Sequence, residues 1–200
     1  MDTTWQPLTI DEIVERFAAF EVDWWVAGGQ AIDLFLGWET RHHEDLDIEM
    51  YRDDRDFLFE VFAGWDLHVV SEGQLVPWQR GDPIDDAVFG VWGRPTPDDA
   101  WAIEVILANG DETTWRFRRD PDISLPRSRL TAERRGVPFC TPEVQLLYKA
   151  KQARPKDDVD LTRCLHRLGR DQKAWLRDAI ARGRSDHPWV AVLDGSMSLG

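Results

Sequence analysis

The first forty residues alternate between helical and extended patterns of apolar residues. A capping-box sequence at positions 9–12 precedes apolar side chains at helical spacing, which predicts an amphipathic helix ending near Phe20. The apolar run at 24–27 predicts a short strand, which a pair of glycines closes. Residues 31–37 then predict a second helix that ends in glycine. The expected order is helix, strand, glycine turn, helix.

The middle of the chain mixes strand and helix patterns. Acidic and apolar residues alternate over 45–50, which predicts a strand with one apolar and one acidic face. A helix at 53–62 and strands at 67–70 and 87–92 are expected next. Residues 101–107 predict an almost wholly apolar strand with one carboxylate, Glu104, and the turn sequence at 109–111 predicts a hairpin.

The C-terminal third changes to a helical pattern from residue 141 onward, and residues 124–139 are interpreted as the connection to it. We therefore expect an α/β (α+β) fold, in which a mixed β-sheet flanked by helices precedes a small C-terminal helical section. The expected division is a catalytic core at 1–125 and a helical section with a tail at 126–200.

Composition narrows the class of protein. A length of 200 residues with 42% hydrophobic content suits one domain, or one domain with a small appendage. We expect a cytoplasmic protein without membrane contact, because no apolar run could cross a bilayer and the N-terminus does not resemble a signal peptide. The formal net charge of −13 disfavours nucleic acid as a partner and favours a cationic small molecule or a metal-bound nucleotide. Cys140 and Cys164 are interpreted as ordinary thiols.

The most informative residues are three carboxylates and two glycines. Asp45 and Asp47 are two residues apart in a predicted strand, so both should project from one face and repel each other unless a cation lies between them. Oxygen ligands favour Mg²⁺, with Mn²⁺ as the alternative, and Glu104 is a natural third ligand if its strand lies beside the first. Three such carboxylates would hold two ions for phosphoryl or nucleotidyl transfer. Gly28 and Gly29 open a helix whose N–H groups can meet phosphate oxygens.

A longer pattern surrounds these residues. Gly28-Gly29-Gln30-Ala31-Ile32-Asp33 is followed by Gly37 and then by Thr40-Arg41-His42-His43-Glu44-Asp45-Leu46-Asp47. This pattern resembles the DNA polymerase β-like nucleotidyltransferase superfamily, in particular the branch of small aminoglycoside 2″-nucleotidyltransferases and lincosamide nucleotidyltransferases. Residues 141–161 look like the C-terminal helical region of the same branch, so the resemblance covers about residues 24–168.

The resemblance implies roles for the carboxylates and glycines. Gly28 and Gly29 would contact the triphosphate, and Asp45 and Asp47 would bind the catalytic metals. Glu104 would be the third carboxylate, as a metal ligand or as the base for the acceptor hydroxyl, although a buried ion pair with an arginine is its structural alternative. Three other candidates for the third carboxylate stay open: Asp85, Asp86 and Asp111.

Basic residues complete the implied site. Arg41 and His43 match the motif and would orient the loop or contact phosphate. Lys149 is the candidate triphosphate contact from the helical section, ahead of Lys151 and Lys156. The histidines are interpreted as loop residues rather than metal ligands, because hard cations prefer oxygen.

We therefore expect a metal-dependent nucleotidyltransferase. It would move a nucleoside monophosphate from a nucleoside triphosphate, with ATP as the expected donor, to a hydroxyl of a small molecule and release pyrophosphate. The resemblance implies an acceptor of the aminoglycoside type, and a monomer or homodimer is expected. Two alternatives stay open: an antitoxin-like nucleotidyltransferase that modifies a partner protein or a tRNA, and a non-catalytic nucleotide-binding module.

Overall fold

The elements of the computed structural model, which describes residues 4–197, are ten strands and seven α-helices within that range. The strands are β1 (Trp24–Val26), β2 (Asp47–Tyr51), β3 (Asp66–Ser71), β4 (Gln74–Pro77), β5 (Gly90–Arg94), β6 (Ile103–Gly110), β7 (Thr114–Arg116), β8 (Ser124–Pro126), β9 (Thr131–Arg134) and β10 (Val137–Cys140). The helices are α1 (Ile10–Phe17), α2 (Gly28–Leu36), α3 (Leu58–Val61), α4 (Pro142–Ala150), α5 (Pro155–Leu165), α6 (Arg170–Gly183) and α7 (Pro188–Leu193). The predicted fold class, a mixed sheet flanked by helices, is confirmed.

The sheet runs in the order β4-β3-β5-β6-β2-β1-β10-β9, and β7 and β8 extend from β6. The pairs β2–β6 and β1–β10 are parallel, and the other neighbouring strands are antiparallel. In the β2–β6 register Asp47 lies opposite Glu104, so the two side chains project from the same face. The two strands that carry the predicted carboxylates are therefore neighbours.

The first helix begins as its capping box predicts. The Thr9 hydroxyl accepts the N–H of Glu12 at 3.3 Å, and the Glu12 carboxylate accepts the N–H of Thr9 at 2.8 Å. The helix ends at Phe17 rather than near Phe20, because the N–H of Phe20 donates to the Phe17 carbonyl in a turn. Phe20 continues the apolar spacing because it packs against the core from outside the helix.

The predicted strand, glycine turn and second helix are confirmed. Helix α2 starts at Gly28, three residues earlier than expected, with Ala27 as its N-cap. It ends at Gly37, whose φ of 85° forms the left-handed cap that glycine favours.

Two hairpins were not expected from the sequence. The β3–β4 hairpin closes through Glu72-Gly73 and the β9–β10 hairpin through Arg135-Gly136, and all four residues have φ between 50° and 80°. Both are two-residue turns of the kind that matches strand twist. The interpretation of residues 124–139 as a simple connection is therefore wrong, since they contribute β8, β9 and β10, and Phe139 pairs with Val26 of β1.

The pattern of β2 also differs from the expectation. Asp45 precedes the strand, so only Asp47 and Glu49 project from it. The acidic face of β2 is covered, and Glu49 is only 2% exposed. Its carboxylate accepts the indole N–H of Trp25 at 3.0 Å. Helix α4 lies over this face. Its Gln145 accepts the N–H of Gly28, and its Lys149 and Gln145 lower the pKa values of Asp47 and Glu49.

The helical pattern of the C-terminal third is confirmed. Helix α4 packs against α2 and α6, and α5 packs against α2 and α4. The division of the chain at residue 125 stays a prediction. Residues 53–62, expected as one helix, form a 3₁₀ turn (Arg52–Phe57) followed by the short α3. Every helix within residues 4–197 is too short or too polar to span a membrane.

Candidate active site

An open cleft of about 420 Å³ lies between the start of β2 and the N-terminus of α5. Its carboxylates are Glu44, Asp45 and Asp47, and its cations are Arg41, Lys149, Arg154 and Lys156. Five of the seven predicted site residues line it: Gly29, Arg41, Asp45, Asp47 and Lys149. The other two, Gly28 and Glu104, lie directly beside Asp47. Lys151 lines a different cavity, whereas Lys156 lines the cleft.

Asp47 is the electrostatic centre of the cleft. Its pKa is raised to about 7, first by burial and then by repulsion from Glu104, Asp45 and Glu49, while Lys149 opposes the shift. A carboxyl group among like charges gains most from a cation placed beside it. Asp45, which precedes the strand, is exposed in the cleft.

Glu104 is half-buried on the neighbouring strand. Its pKa is raised by burial and by Asp45. Trp92, opposite Glu104 on β5, lowers this pKa in part, although its indole N–H finds no partner of ordinary hydrogen-bond geometry within residues 4–197. Gly90 leaves room for the carboxylate, because a Cβ there would lie 3.1 Å from Glu104 Oε1. No arginine of the described chain is among the groups that set the Glu104 pKa, which does not favour the ion-pair alternative.

The three other candidate carboxylates lie away from the cleft. Asp111 follows β6 seven residues after Glu104, which is about 20 Å along an extended strand. Its carboxylate accepts the N–H groups of Thr113 and Thr114 at 3.0 Å. Asp85 accepts the N–H of Ala87 at 2.7 Å, and Asp86 lines a separate cavity.

Both glycines of the turn allow close approach of other groups. Gly28 has a φ of +63°, and a Cβ at this position would collide with the Asp47 carboxylate. A Cβ at Gly29 would lie 2.5 Å from Arg41 Nη2 and 2.5 Å from the His43 ring. The N–H of Gly28 donates to Gln145 Oε1 at 2.9 Å, so it is engaged within the protein. The N–H groups of the next two residues of α2 have no acceptor within the helix and could meet an anion.

Asp33 on α2 fastens the loop that carries the Thr-Arg-x-His motif. Its carboxylate accepts the Thr40 hydroxyl at 2.6 Å and lies 2.7 Å from His43 Nε2. The Gln30 side chain donates to the Asp45 carbonyl at 3.1 Å. His43 therefore orients the loop, as one of its two expected roles requires, and Arg41 is left facing the cleft.

Two buried aspartates on α5 hold the cations of the cleft. Lys149 Nζ lies 3.1 Å from Asp157 Oδ1 and 3.0 Å from Asp160 Oδ2, and both aspartate side chains are 1% exposed. Arg154 Nε donates to Asp157 at 2.9 Å, and Arg41 Nη2 lies 3.9 Å from Asp160. Although burial opposes it, hydrogen bonds from Arg154 and Lys149 hold the pKa of Asp157 at about 2.

Sequence reasoning missed five residues that support the cleft: Asp33, Glu49, Gln145, Asp157 and Asp160. The available signals were the place of Asp33 in the glycine motif, that of Glu49 in the acidic alternation, and the spacing of Asp157 and Asp160, which puts both acids on one face of a helix. Gln145 bonds to Gly28 and Asp160 contacts Arg41, both more than one hundred residues away in sequence, so no local pattern could show these two contacts.

The donor set fits a hard divalent cation in its chemistry. It consists of carboxylate oxygens alone, and mutual repulsion with burial raises the pKa of Asp47. No group of three or more His, Cys, Asp or Glu side chains within residues 4–197 is arranged to hold a metal ion by itself. The metal site expected from Asp45, Asp47 and Glu104 therefore stays a prediction.

Comparison with known proteins identifies the fold. Residues 9–74, which include the glycine turn and both aspartates, match the family of aminoglycoside-2''-adenylyltransferases. The chain has the fold of the nucleotidyltransferases. The solution structure of the antibiotic-resistance factor ANT(2'')-Ia superposes with a TM-score of 0.58 at 19% identity and covers 93% of both chains. The search of curated proteins found no match.

Two liganded structures share the same nucleotidyltransferase fold. ANT(2")-Ia in complex with adenylyl-2"-tobramycin has a TM-score of 0.55 at 18% identity and covers 87% of this chain and 96% of its own. The lincosamide antibiotic adenylyltransferase LnuA, bound to lincomycin, has a TM-score of 0.53 at 16% identity and covers 79% and 97%. The predicted resemblance to this branch and the predicted enzyme class, a nucleotidyltransferase, are confirmed.

Substituting Gly28 should abolish nucleotide binding in the cleft as well as strain the backbone. Gly28→Ala places a Cβ against the Asp47 carboxylate, so we expect loss of Mg²⁺-dependent nucleotide binding. Gly64→Ala is the matched control, because Gly64 has a φ of +81° with no atom within 4 Å of the added Cβ. It should cost only about 1 kcal/mol of unfolding free energy. Calorimetric titration with Mg²⁺–ATP measures binding, and equal binding by the two variants would contradict the assignment.

The pH dependence of stability should report the crowded carboxylates. The folded-state pKa of Asp47, about 7, lies above its ordinary value, so the folded state holds an extra proton between about pH 4 and pH 7. The associated stability is present at low pH and is lost as the pH rises through 7. In metal-free buffer Asp47→Asn should therefore gain on wild type, by an amount on the order of 1 kcal/mol, between pH 5 and pH 8.

Thermal unfolding monitored by circular dichroism checks this prediction. Glu15→Gln, an exposed position on α1, removes the same charge and is the control. Parallel pH profiles of wild type and Asp47→Asn would show that Asp47 is not protonated unusually in the folded protein.

Proposed function

We propose that this protein transfers a nucleoside monophosphate from a nucleoside triphosphate, with ATP as the donor, to a hydroxyl of a small molecule and releases pyrophosphate. The observation that carries the proposal is the composition of the cleft: crowded carboxylates face four cations in a chain whose net charge is −13. This combination suits a triphosphate that brings a divalent cation, because the phosphates meet the cations and the metal meets the carboxylates.

The donor side of the proposal rests on Gly29, Arg41, Lys149, Arg154 and Lys156. The four positively charged side chains would bind the phosphate oxygens, together with the free N–H groups of the first turn of α2, which include that of Gly29. Asp157 and Asp160 hold Arg41, Lys149 and Arg154 from behind, so less conformational entropy is lost when the nucleotide binds.

The metal side of the proposal rests on Asp45 and Asp47, with Glu104 beside them. We propose Mg²⁺ as the cation and two ions as the full complement, with Mn²⁺ as a substitute. When bound, the cation would neutralise charge on the phosphates and the leaving group. Asp45 and Asp47 would hold it from the cleft, since these two carboxylates reach the open space.

Glu104 is the proposed base for the acceptor. Its raised pKa suits a group that takes the hydroxyl proton near neutral pH. In this step the hydroxyl oxygen bonds to the α-phosphorus, its proton passes to Glu104, and the bond between the α-phosphorus and the bridging oxygen breaks to release pyrophosphate. The acceptor would then approach from the β5–β6 side, where Trp92 is the next residue in the same row.

We propose an aminoglycoside-type antibiotic as the acceptor. The family match over residues 9–74 and the acidic composition support a polycationic molecule of this kind. ANT(2")-Ia and LnuA, solved with adenylyl-2"-tobramycin and lincomycin, indicate two classes of compound to test.

Thermal shift with the four nucleoside triphosphates tests the donor site. We expect Mg²⁺-dependent stabilisation of wild type, greatest with ATP, because a ligand that binds only the folded state at about 100 times its Kd adds roughly 2.7 kcal/mol. The variant Asp45→Asn/Asp47→Asn should lose this effect. The control Asp54→Asn/Asp56→Asn changes an acidic pair of the same spacing outside the cleft and should keep it. If no nucleotide stabilises the wild type, an interaction module becomes the better interpretation.

Glu104→Gln tests the proposed base, and the wild type measured beside it tests the proposed acceptor class. Pyrophosphate release is measured with a panel of aminoglycosides and lincosamides. The variant should lose turnover by about 10²-fold or more. Its affinity for Mg²⁺–ATP should stay within about threefold of wild type, because Glu104 does not line the donor cleft. Full turnover by the variant would remove Glu104 from catalysis, and wild-type silence towards the whole panel would reject this acceptor class while leaving the donor chemistry intact.

A further inference from the structure

A buried glutamine on α4 binds the glycine turn. Gln145 is 4% exposed, and its Oε1 accepts the N–H of Gly28 at 2.9 Å. The two residues are 117 positions apart, so this bond joins the C-terminal helices to the loop that opens the cleft. Gly28 is also the residue whose left-handed backbone lies against the Asp47 carboxylate.

The other end of the same amide faces Glu49. Among the interactions that lower the raised pKa of Glu49 are hydrogen bonds from Trp25 and Gln145. The Gln145 Nε2 is buried without a partner of ordinary geometry within residues 4–197, and Gln145 lowers the pKa of both Glu49 and Cys140. The indole N–H of Trp25 donates to the Glu49 carboxylate at 3.0 Å.

This arrangement determines which way the amide points. A carboxylate only accepts hydrogen bonds, and a backbone N–H only donates. The N–H of Gly28 therefore takes the Oε1 of Gln145, and the Nε2 is left on the side of Glu49. If the amide turned over, Gln145 would present N–H to N–H at Gly28 and oxygen to oxygen at Glu49.

The periodicity of the two elements places this pair directly beside the cleft residues. Asp47 and Glu49 project from the same face of β2, and Gln145 and Lys149 are one helical turn apart on α4. One level contains Asp47 and Lys149 at the cleft, and the next contains Glu49 and Gln145 in the interior. The interior level is polar although a buried apolar pair would avoid the cost of desolvating a carboxylate.

We infer that Glu49 and Gln145 are positioning residues for the nucleotide site: Glu49 fixes the Gln145 amide, and Gln145 holds Gly28 so that the first turn of α2 faces the cleft beside Asp47. This inference rests on the proposed function, since the turn it positions is the proposed phosphate contact. It assigns a role in nucleotide binding to two side chains that do not line the cleft.

The test compares Gln145→Met with Gln172→Met. Gln145→Met keeps the volume but loses the hydrogen bond to the N–H of Gly28, and we expect the Kd of Mg²⁺–ATP to rise by about tenfold, the value of one well-placed hydrogen bond. Gln172→Met is the matched control, because Gln172 Nε2 donates at 2.7 Å to Glu143, another buried carboxylate on α4, away from the cleft. It should lower the melting temperature similarly and leave the Kd unchanged.

An exchange of the two residues tests the pairing itself. In Glu49→Gln/Gln145→Glu the new carboxylate can accept the N–H of Gly28 and the new amide can accept from Trp25 and donate to position 145. We expect the Kd for Mg²⁺–ATP to return to within about threefold of wild type, whereas Glu49→Gln alone should weaken binding. Glu49→Gln nearly preserves size, so it keeps the test available if Gln145→Met does not fold.

The outcomes separate this inference from the proposed function. If wild type binds Mg²⁺–ATP but Gln145→Met loses only stability, as Gln172→Met should, the pair is merely structural and the inference is wrong. Failure of the folded exchange variant to recover affinity would also overturn it. If wild type binds no nucleotide, the proposed function fails, and the inference falls with it.

Discussion

The free-energy cost of placing several carboxylates together on one face of the sheet is the constraint on which the rest of this structure depends. Asp47 and Glu104 are neighbours in a parallel register, and Glu49 lies two residues further along the same face. Burial raises the pKa of both Asp47 and Glu49 to about 7, and repulsion from the neighbouring carboxylates adds to the shift of Asp47. Such a cluster persists only where the rest of the fold is rigid enough to hold it and where cations can approach from at least one side.

The surrounding charges form layers that meet this requirement. Asp45 and Asp47 face the cations of the cleft, and three of these cations contact the buried Asp157 or Asp160 on α5. Lys149 lies between Asp47 and the two aspartates of α5, and its Nζ is 3.1 Å from Asp157 and 3.0 Å from Asp160. Because Lys149 is bound from behind, it partly compensates Asp47 without closing the cleft with a direct ion pair. The cleft can therefore accept both a metal ion and an anion.

Sequence alone could identify the parts of this site that depend on local patterns. The capping box, the glycine turn and the acidic pair are each visible within a dozen residues. Glu104 is recognisable because it is the one charged residue in an apolar strand. The β3–β4 and β9–β10 hairpins were missed although X-Gly turns signal both of them, at Glu72-Gly73 and Arg135-Gly136. Their strands are short, and much of β9 is exposed, so apolar alternation was too weak to reveal them.

The supporting residues were out of reach for a different reason. Gln145 bonds to a backbone N–H 117 residues away, and nothing in a helical pattern distinguishes such a glutamine from one that faces solvent. Glu49 shows the limit most clearly. It shares its strand, its face and its raised pKa with Asp47, but Trp25 and Gln145 enclose it, whereas Asp47 opens into the cleft. Two identical chemical groups in one strand thus differ in role because α4 covers one and leaves the other accessible, and that distinction exists only after the C-terminal helices have packed onto the sheet.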